Sequence, residues 1–379
     1  MFIELHQLQN FAPSNLNRDD TGNPKDCEFG GTRRARISSQ CLKRAMRSAP
    51  IFAATTAEPN GVRSKRLVAQ LVEKFPADQK AKAVEVISAL STAFLSKMDA
   101  KSKTAETAVL LYLSQDEQTA IAEAVQEQWA QLIDAKAGSK NIEKLAGDLA
   151  KQFKGRSSAP DIALFGRMLA ENPELNIDAA CQVAHAISTH RVTMDMDFYT
   201  AVDDLKGDDS AGAGMMGFTG FNSACFYRYL RLDLDQLRQN LSGDDELAAK
   251  TVEACLLAAL EAVPSGKQNT FAAHNPPSLL LAVVRTGGQG WSLANAFEKP
   301  VQVRGSSGLV GPSIQALDAY WSRLLSAYGD KSVAGAWLLL LDDTQVAAQR
   351  CTRAINRDEW VRGVVGTVAP AQVVPVEVV

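Results

Sequence analysis

Paired cysteines, clustered histidines, an excess of positive charge and long apolar runs are all missing from this chain of 379 residues. Its six cysteines, Cys27, Cys41, Cys181, Cys225, Cys255 and Cys351, are scattered with no C-x-x-C pair. That usage fits a reducing cytosol and not a disulfide scaffold. The longest apolar run, Val333 to Leu341, is too short to span a bilayer and reads as a buried strand. The opening MFIELHQLQN carries Glu4 and no apolar core, so no signal peptide is expected. Of the four histidines, His6, His185, His190 and His274, the pair at 185 and 190 is five apart and does not share a helical face as zinc ligands would. Lys and Arg number 40 against 43 Asp and Glu, a formal net charge of −3. That excludes gripping a polyanion with the whole surface and leaves a local patch as the means of binding one.

Two tempting glycine motifs also fail. Gly212 to Gly217 matches G-x-G-x-x-G, but an acidic loop precedes it and a strand-like aromatic segment follows it, the wrong context for a dinucleotide. No H-R-D or D-F-G accompanies it, so the kinase reading fails as well. Gly266-Lys267-Gln268 lacks the upstream glycine and the Ser/Thr of a P-loop. The carboxylates Asp195, Asp197, Asp203, Asp204, Asp208 and Asp209 run along a strand into a loop tip, where keeping a hairpin soluble explains them better than holding Mg²⁺.

What is present is an α+β pattern. The composition, 46% hydrophobic and 22% charged, is that of a folded chain, and the length suits about two domains. A strand opens the chain, followed by the turn-rich loop PSNLNRDDTGNPKD and a short helix capped by Ser38 or Ser39. Residues 63–153 read as helical nearly throughout, with a capping box at Ser114–Glu117. Asp161–Met168 reads as a strand, and Asp178 as the cap of a helix to about Thr189. Val192–Leu205 and Phe218–Leu234 form the arms of a long hairpin around a glycine-rich tip. A helix over 244–263, a strand over 279–285, a helix over 313–328, a strand over 336–341 and the apolar tail VVPVEVV complete the chain.

The strongest local signal lies between Phe29 and Ala57, where no acid occurs but Arg33, Arg34, Arg36, Lys43, Arg44 and Arg47 do. On the helix, Leu42, Ala45, Met46 and Ala49 share one face, and Gln40, Lys43, Arg44 and Arg47 share another. One side pins the helix and the other presents a cationic ridge, with free N–H donors and the dipole at its N-terminus. Arginine forks and a lysine point charge suit phosphate oxygens. Lys136, Lys140, Lys144, Lys151 and Lys154 make a second basic stripe, diluted by Asp134, Glu143 and Asp148 and read as a solvated face. Arg167 and Met168, with Phe198, Tyr199 and Val202, offer cations and apolar faces of the kind that single-stranded nucleic acid stacks on, although a core role fits the same pattern. An apolar wedge can separate stacked bases.

The strings FIELHQLQNFAPSNLNRDDTGNPKDCEFGGTRRARISSQCLKRAMR, DIALFGRM, VAHAISTH, DFYTAVDDL, FYRY, KQNTFAAHNP and SLANAFEKP, in this order, resemble the backbone subunits of type I-E CRISPR Cascade surveillance complexes, the CasC or Cse-four family. The likeness covers the first fifty residues almost without a break and most of Asp161 to Pro300. It is poor in the helical block and at the C-terminus. It implies an RRM-like, ferredoxin-like palm (1–60, 158–191 and 226–379), inserted helical fingers (61–157) and a β-hairpin thumb (192–225). It also implies a cytoplasmic, non-catalytic protein without cofactor or metal that polymerises head to tail along a CRISPR RNA. Its partners would be that RNA, further copies of itself, the target DNA strand and other Cascade subunits, with no membrane. By position, Arg18, Lys25, Ser38, Gln40, Lys43, Arg44 and Arg47 would line the RNA backbone, and Arg167 would hold phosphate. Met168 would wedge between bases, while Tyr199 and Val202 would cover the kink from a neighbouring copy. Lys136, Lys140 and Lys144 would face target DNA. The competing readings are a CRISPR-repeat endoribonuclease working through Tyr199, His190 or His185, and a protein-only filament.

Overall fold

The computed structural model describes residues 1–102, 104–134, 138–201, 215–303 and 308–368. The strands are β1 (Phe2–Ser14), β2 (Asp26–Phe29), β3 (Thr32–Ile37), β4 (Val62–Ser64), β5 (Leu111–Leu113), β6 (Cys181–Val183), β7 (Ala186–Ser188), β8 (Asp195–Ala201), β9 (Met215–Asp233), β10 (Leu279–Arg285), β11 (Val333–Leu340) and β12 (Thr352–Arg353). The chain divides into two compact units. The first comprises Met1–Phe52, Val183–Arg231 and Cys255–Val379 so far as it is described, and the second Ala53–Gln182 and Leu232–Ala254.

The first unit is built on a mixed sheet in the order β12-β11-β10-β1-β9-β7-β3-β2, with β10 antiparallel to both β1 and β11, β7 antiparallel to both β9 and β3, β3 antiparallel to β2, and β12 parallel to β11. Every residue of β10 is buried, and so are the first eight of β1, because helices cover both sheet faces. Leu281 pairs with Leu338, and both pack with Ile314, Leu317 and Trp321 of the helix Val310–Tyr328. One residue along, Ala282 pairs with Trp337, whose carbonyl accepts from Trp360 Nε1 of the helix Arg357–Val368 at 2.9 Å. The two-residue period of the strands thus sorts one apolar run onto two cores. β2 and β3 close through Gly30 and Gly31, with φ of +58° and +67°, as a two-residue turn of this kind demands. A Cβ at Gly30 would fall on the Glu298 carbonyl. This glycine pair is therefore a hairpin turn.

The second unit is mostly helical. Its core joins Leu67, Ile87, Leu90, Ile121, Leu145 and Leu149, and β4 pairs with β5 in a small separate sheet. The Ser114–Glu117 capping box is formed, with Ser114 Oγ accepting from Glu117 N and Glu117 Oε2 accepting from Ser114 N. Two expectations are corrected here. Asp161–Met168 does not form a strand: Pro160–Phe165 is a helix with Pro160 in its first turn, ended by Gly166 at φ +77°. A short apolar run has no period long enough to separate the two states. Nor does 178–189 form a helix. β6 and β7 occupy it, and Ile187 pairs with both Arg36 and Tyr227, so sheet pairing overrides an alanine-rich local preference.

The long hairpin forms as β8 against β9, in register from Asp195↔Phe221 to Ala201↔Met215. Val202, Asp203, Asp204, Asp208, Asp209 and most of the glycine-rich tip lie outside the described residues, as do Lys136 and the tail VVPVEVV. Among the described residues, no helix is long and apolar enough to cross a membrane.

Candidate nucleic-acid interface

The helix Ser39–Arg47 is held as its pattern requires. Leu42 and Met46 are buried, and Leu42 packs with Phe11, Leu16, Ile37 and Phe226. Ser38 caps it, its Oγ accepting from Cys41 N at 3.3 Å. Ser38 N donates to Asn17 Oδ1 at 2.8 Å, which ties the helix start to the preceding loop. Ser39 N donates to His185 Nδ1 at 2.9 Å. The expected free donors at the helix N-terminus are therefore partly occupied. What faces outward is the side chains: Gln40 and Arg44 are exposed, and Lys43 and Arg47 are half-buried.

The loop beside the helix is equally fixed. Lys25 N donates to Asn17 O at 2.8 Å, Arg18 bridges to Pro24, and Asn15 Nδ2 donates to the carbonyls of Gly22 and Gly220. Asp19 Oδ1 accepts from Thr21 N and Asn23 N, and its hydrogen bonds, that to the Thr21 hydroxyl foremost, hold the carboxyl below its ordinary range. Arg18 is exposed on this rigid loop, and Lys25 is half-buried. Between loop and helix lies a cleft of about 900 Å³, lined among others by Arg18, Asp19, Arg44, Ser48, Glu261 and Ser265. Burial, then the charges of Arg36 and Lys25, hold the His185 imidazole below its ordinary value. Arg44 and Lys25 likewise oppose the rise that burial imposes on the Cys41 thiol. Lys25, Arg36 and Arg44 thus act on this edge as positive charges, and Arg18 and Arg44 line the cleft together with Asp19, Asp20 and Glu261. Arg36 belongs to the acid-free basic run, whereas nothing in the sequence pattern ties His185 to this edge. The alternation of TRRARI places Arg34 and Arg36 on one strand face but does not say which of them is covered.

The other arginines of the basic run are committed elsewhere. Arg34 is fully buried, donating to Ser188 O, Phe297 O, Glu298 O and Thr32 Oγ1. Arg33 pairs with Asp26 at 2.8 Å.

In the second unit, Met168 is 82% exposed and projects from the turn after Gly166. Arg167 corrects the expectation of a phosphate ligand: it is buried, and its Nη1 donates to both carboxylate oxygens of Glu117 at 2.7 and 2.9 Å. A guanidinium turned inward on its own carboxylate does not reach an external phosphate. Lys140 and Lys144 are exposed on the helix Lys140–Phe153, opposite buried Ile142, Leu145 and Leu149.

On the hairpin, all of β8 is exposed, including Phe198 and Tyr199. Phe198 meets Phe218 across the strands at 5.1 Å, and the Tyr199 ring lies over Gly217, where a Cβ would collide with it. Both nitrogens of His190 are engaged, Nδ1 with Arg191 O and Nε2 accepting from Cys225 N. Among the described residues, no group of three or more His, Cys, Asp or Glu is placed to hold a metal ion.

These features define a mixed α/β protein with a large, mostly antiparallel sheet, a preformed cationic edge and an exposed aromatic hairpin. The chain belongs to the CT1975-like protein family (Cas_CT1975), which matches residues 3–361. A chain of a solved CRISPR RNA-guided surveillance complex in a pre-nicking state is similar over 97% of this chain and 99% of that one, at 31% identity and a TM-score of 0.84. A second CRISPR RNA-guided surveillance complex contains a chain similar over the same shares, at 26% identity and a TM-score of 0.62. No curated protein matches.

Proposed function

We propose that this chain is a cytoplasmic, non-catalytic backbone subunit of a type I-E CRISPR RNA-guided surveillance complex. Copies assemble head to tail along one CRISPR RNA, beside other Cascade subunits. The observation that carries this reading is the cationic edge, where Arg18, Lys25, Lys43, Arg44 and Arg47 lie on a loop and helix bound to one another through Asn17 and Ser38. Ser38 and Gln40 belong to the same segment. Such cations neutralise phosphates without reading bases, as a carrier of any guide must. The similarity to subunits of two CRISPR RNA-guided complexes supports the choice of RNA.

Met168 serves as an apolar wedge between bases, and Tyr199, with Val202 outside the described residues, covers the kink from a neighbouring copy. Arg167 is left out of the RNA contacts, since it is occupied by Glu117. Lys140 and Lys144, with Lys136 outside the described residues, face the target DNA strand. In domain terms, 1–60, 158–191 and 226–379 form the palm, 61–157 the fingers and 192–225 the thumb.

The test is recovery of RNA from the purified assembly. The native chain is expected to carry RNA of one size class, and Lys43→Ala with Arg44→Glu to carry none while its monomer stays folded. An unchanged RNA yield from that variant overturns the reading. Site-specific cleavage of a labelled repeat RNA, lost on changing Tyr199, His190 or His185, would replace it with an endoribonuclease.

A further inference from the structure

Met168 stands in water between two buried neighbours, Arg167 and Leu169. Exposing a methionine gains nothing from the hydrophobic effect, so the backbone must be fixed by other groups. Main-chain bonds tie one side: Arg167 N donates to Ile177 O at 3.0 Å, and Ile177 N donates to Arg167 O at 2.9 Å. Leu169 N donates to Asn176 Oδ1 at 2.6 Å. The third tie is the guanidinium. Arg167 Nε donates to Leu175 O at 2.9 Å, and Nη1 forks onto the Glu117 carboxylate. Glu117 is itself clamped by the capping box, its Oε2 accepting from Ser114 N at 2.8 Å. One carboxylate therefore closes the first turn of the helix Gln115–Glu127 and anchors the residue next to the exposed methionine. Arg167 Nη2 is buried without a hydrogen-bond partner, so the guanidinium depends on Glu117 for compensation.

We infer that Glu117 and Arg167 are positioning residues, a buried pair seated in the capping box that holds the turn at 166–169 so that Met168 projects as a wedge. This rests on the reading of Met168 as a base-separating residue. The pair touches no nucleic acid and acts only through Met168.

The assembled protein–RNA complex supplies the test, with 2-aminopurine placed in turn along the guide to report unstacking by its fluorescence. Met168→Ala is expected to abolish the fluorescence rise. Glu117→Gln keeps the cap, because glutamine serves at that position, and removes the charge. Arg167→Met removes the guanidinium. Each is expected to lower the rise toward the Met168→Ala level while the amount of bound RNA holds. Removing one partner of a buried pair can unfold a domain, so the double variant Glu117→Gln/Arg167→Met, which leaves no uncompensated charge, is measured alongside with its thermal melt. Arg167→Lys, which keeps the ion pair, is expected to retain the rise. If Met168→Ala abolishes the signal and the folded double variant keeps it, the positioning role is overturned and the wedge stands. If Met168→Ala leaves the signal unchanged, the wedge reading fails and this inference fails with it. Loss of bound RNA from Arg167→Met with unstacking preserved would make Arg167 a phosphate ligand and overturn the proposal.

Discussion

Replacing Arg18 and Arg44 together by glutamine should flatten the salt dependence of RNA binding. Both side chains are exposed and line the same cleft, one from the rigid loop and one from the capped helix. Each phosphate neutralised on a single strand contributes about 0.7 to the slope of log affinity against log salt, so losing both contacts lowers the slope by roughly 1.4. Between about 50 and 200 mM salt that removes roughly sevenfold of the affinity loss, and the variant and native curves converge as salt rises. Screening acts in the same direction, since exposed charges fade beyond a Debye length of about 10 Å at 0.1 M. Anisotropy of a labelled single-stranded RNA across a salt series measures both slopes. Arg350→Gln is the control, because Arg350 is ion-paired with Asp330 at 2.9 Å. Two parallel lines for the native and double variants, or an equal flattening by Arg350→Gln, would refute the cationic edge as the phosphate site.

Leu42→Ala should cost about 2–5 kcal/mol in urea unfolding, because the leucine is buried in the cluster that pins the basic helix. A loss within roughly 0.5 kcal/mol, the range of an ordinary surface change, would mean that the helix is held by its caps alone. Acid should weaken the first unit through His6. His6 Nδ1 lies 2.9 Å from the Tyr227 hydroxyl, whose oxygen also accepts from Leu293 N, and burial keeps the imidazole neutral. Burial, then Arg285, depress His6 from 6.5 to about 3. The unfolded chain therefore takes up the proton first: stability is intact above 6.5, falls as pH drops from there, and levels off below about 3. Each pH unit in that window costs about 1.4 kcal/mol, or on the order of 2 kcal/mol by pH 5. Thermal melts of the native chain and His6→Gln between pH 7 and 5 check it, and parallel declines would exclude His6 as the cause.

The basic helix, its apolar pin and its Ser38 cap were legible because helical spacing and capping act over three or four residues. The same holds for the Ser114–Glu117 box, and the hairpin arms show in their β-forming residues on either side of a glycine-rich tip. Pro160–Phe165 and 178–189 depart from their sequence pattern because such short segments take their state from what they pack against. Charge was legible as composition, but its employment was not. Arg34 and Arg44 look alike in sequence, yet Arg34 is covered by carbonyls 263 and 264 residues away and Arg44 stands in the open. Arg167 and Met168 are neighbours with opposite fates, because the carboxylate that draws the arginine inward lies 50 residues upstream. Sequence alone determined which helix is cationic and how it is anchored, since both follow from local geometry. Only the tertiary structure decided which cations remain outside, because a buried guanidinium needs acceptors that no local pattern announces.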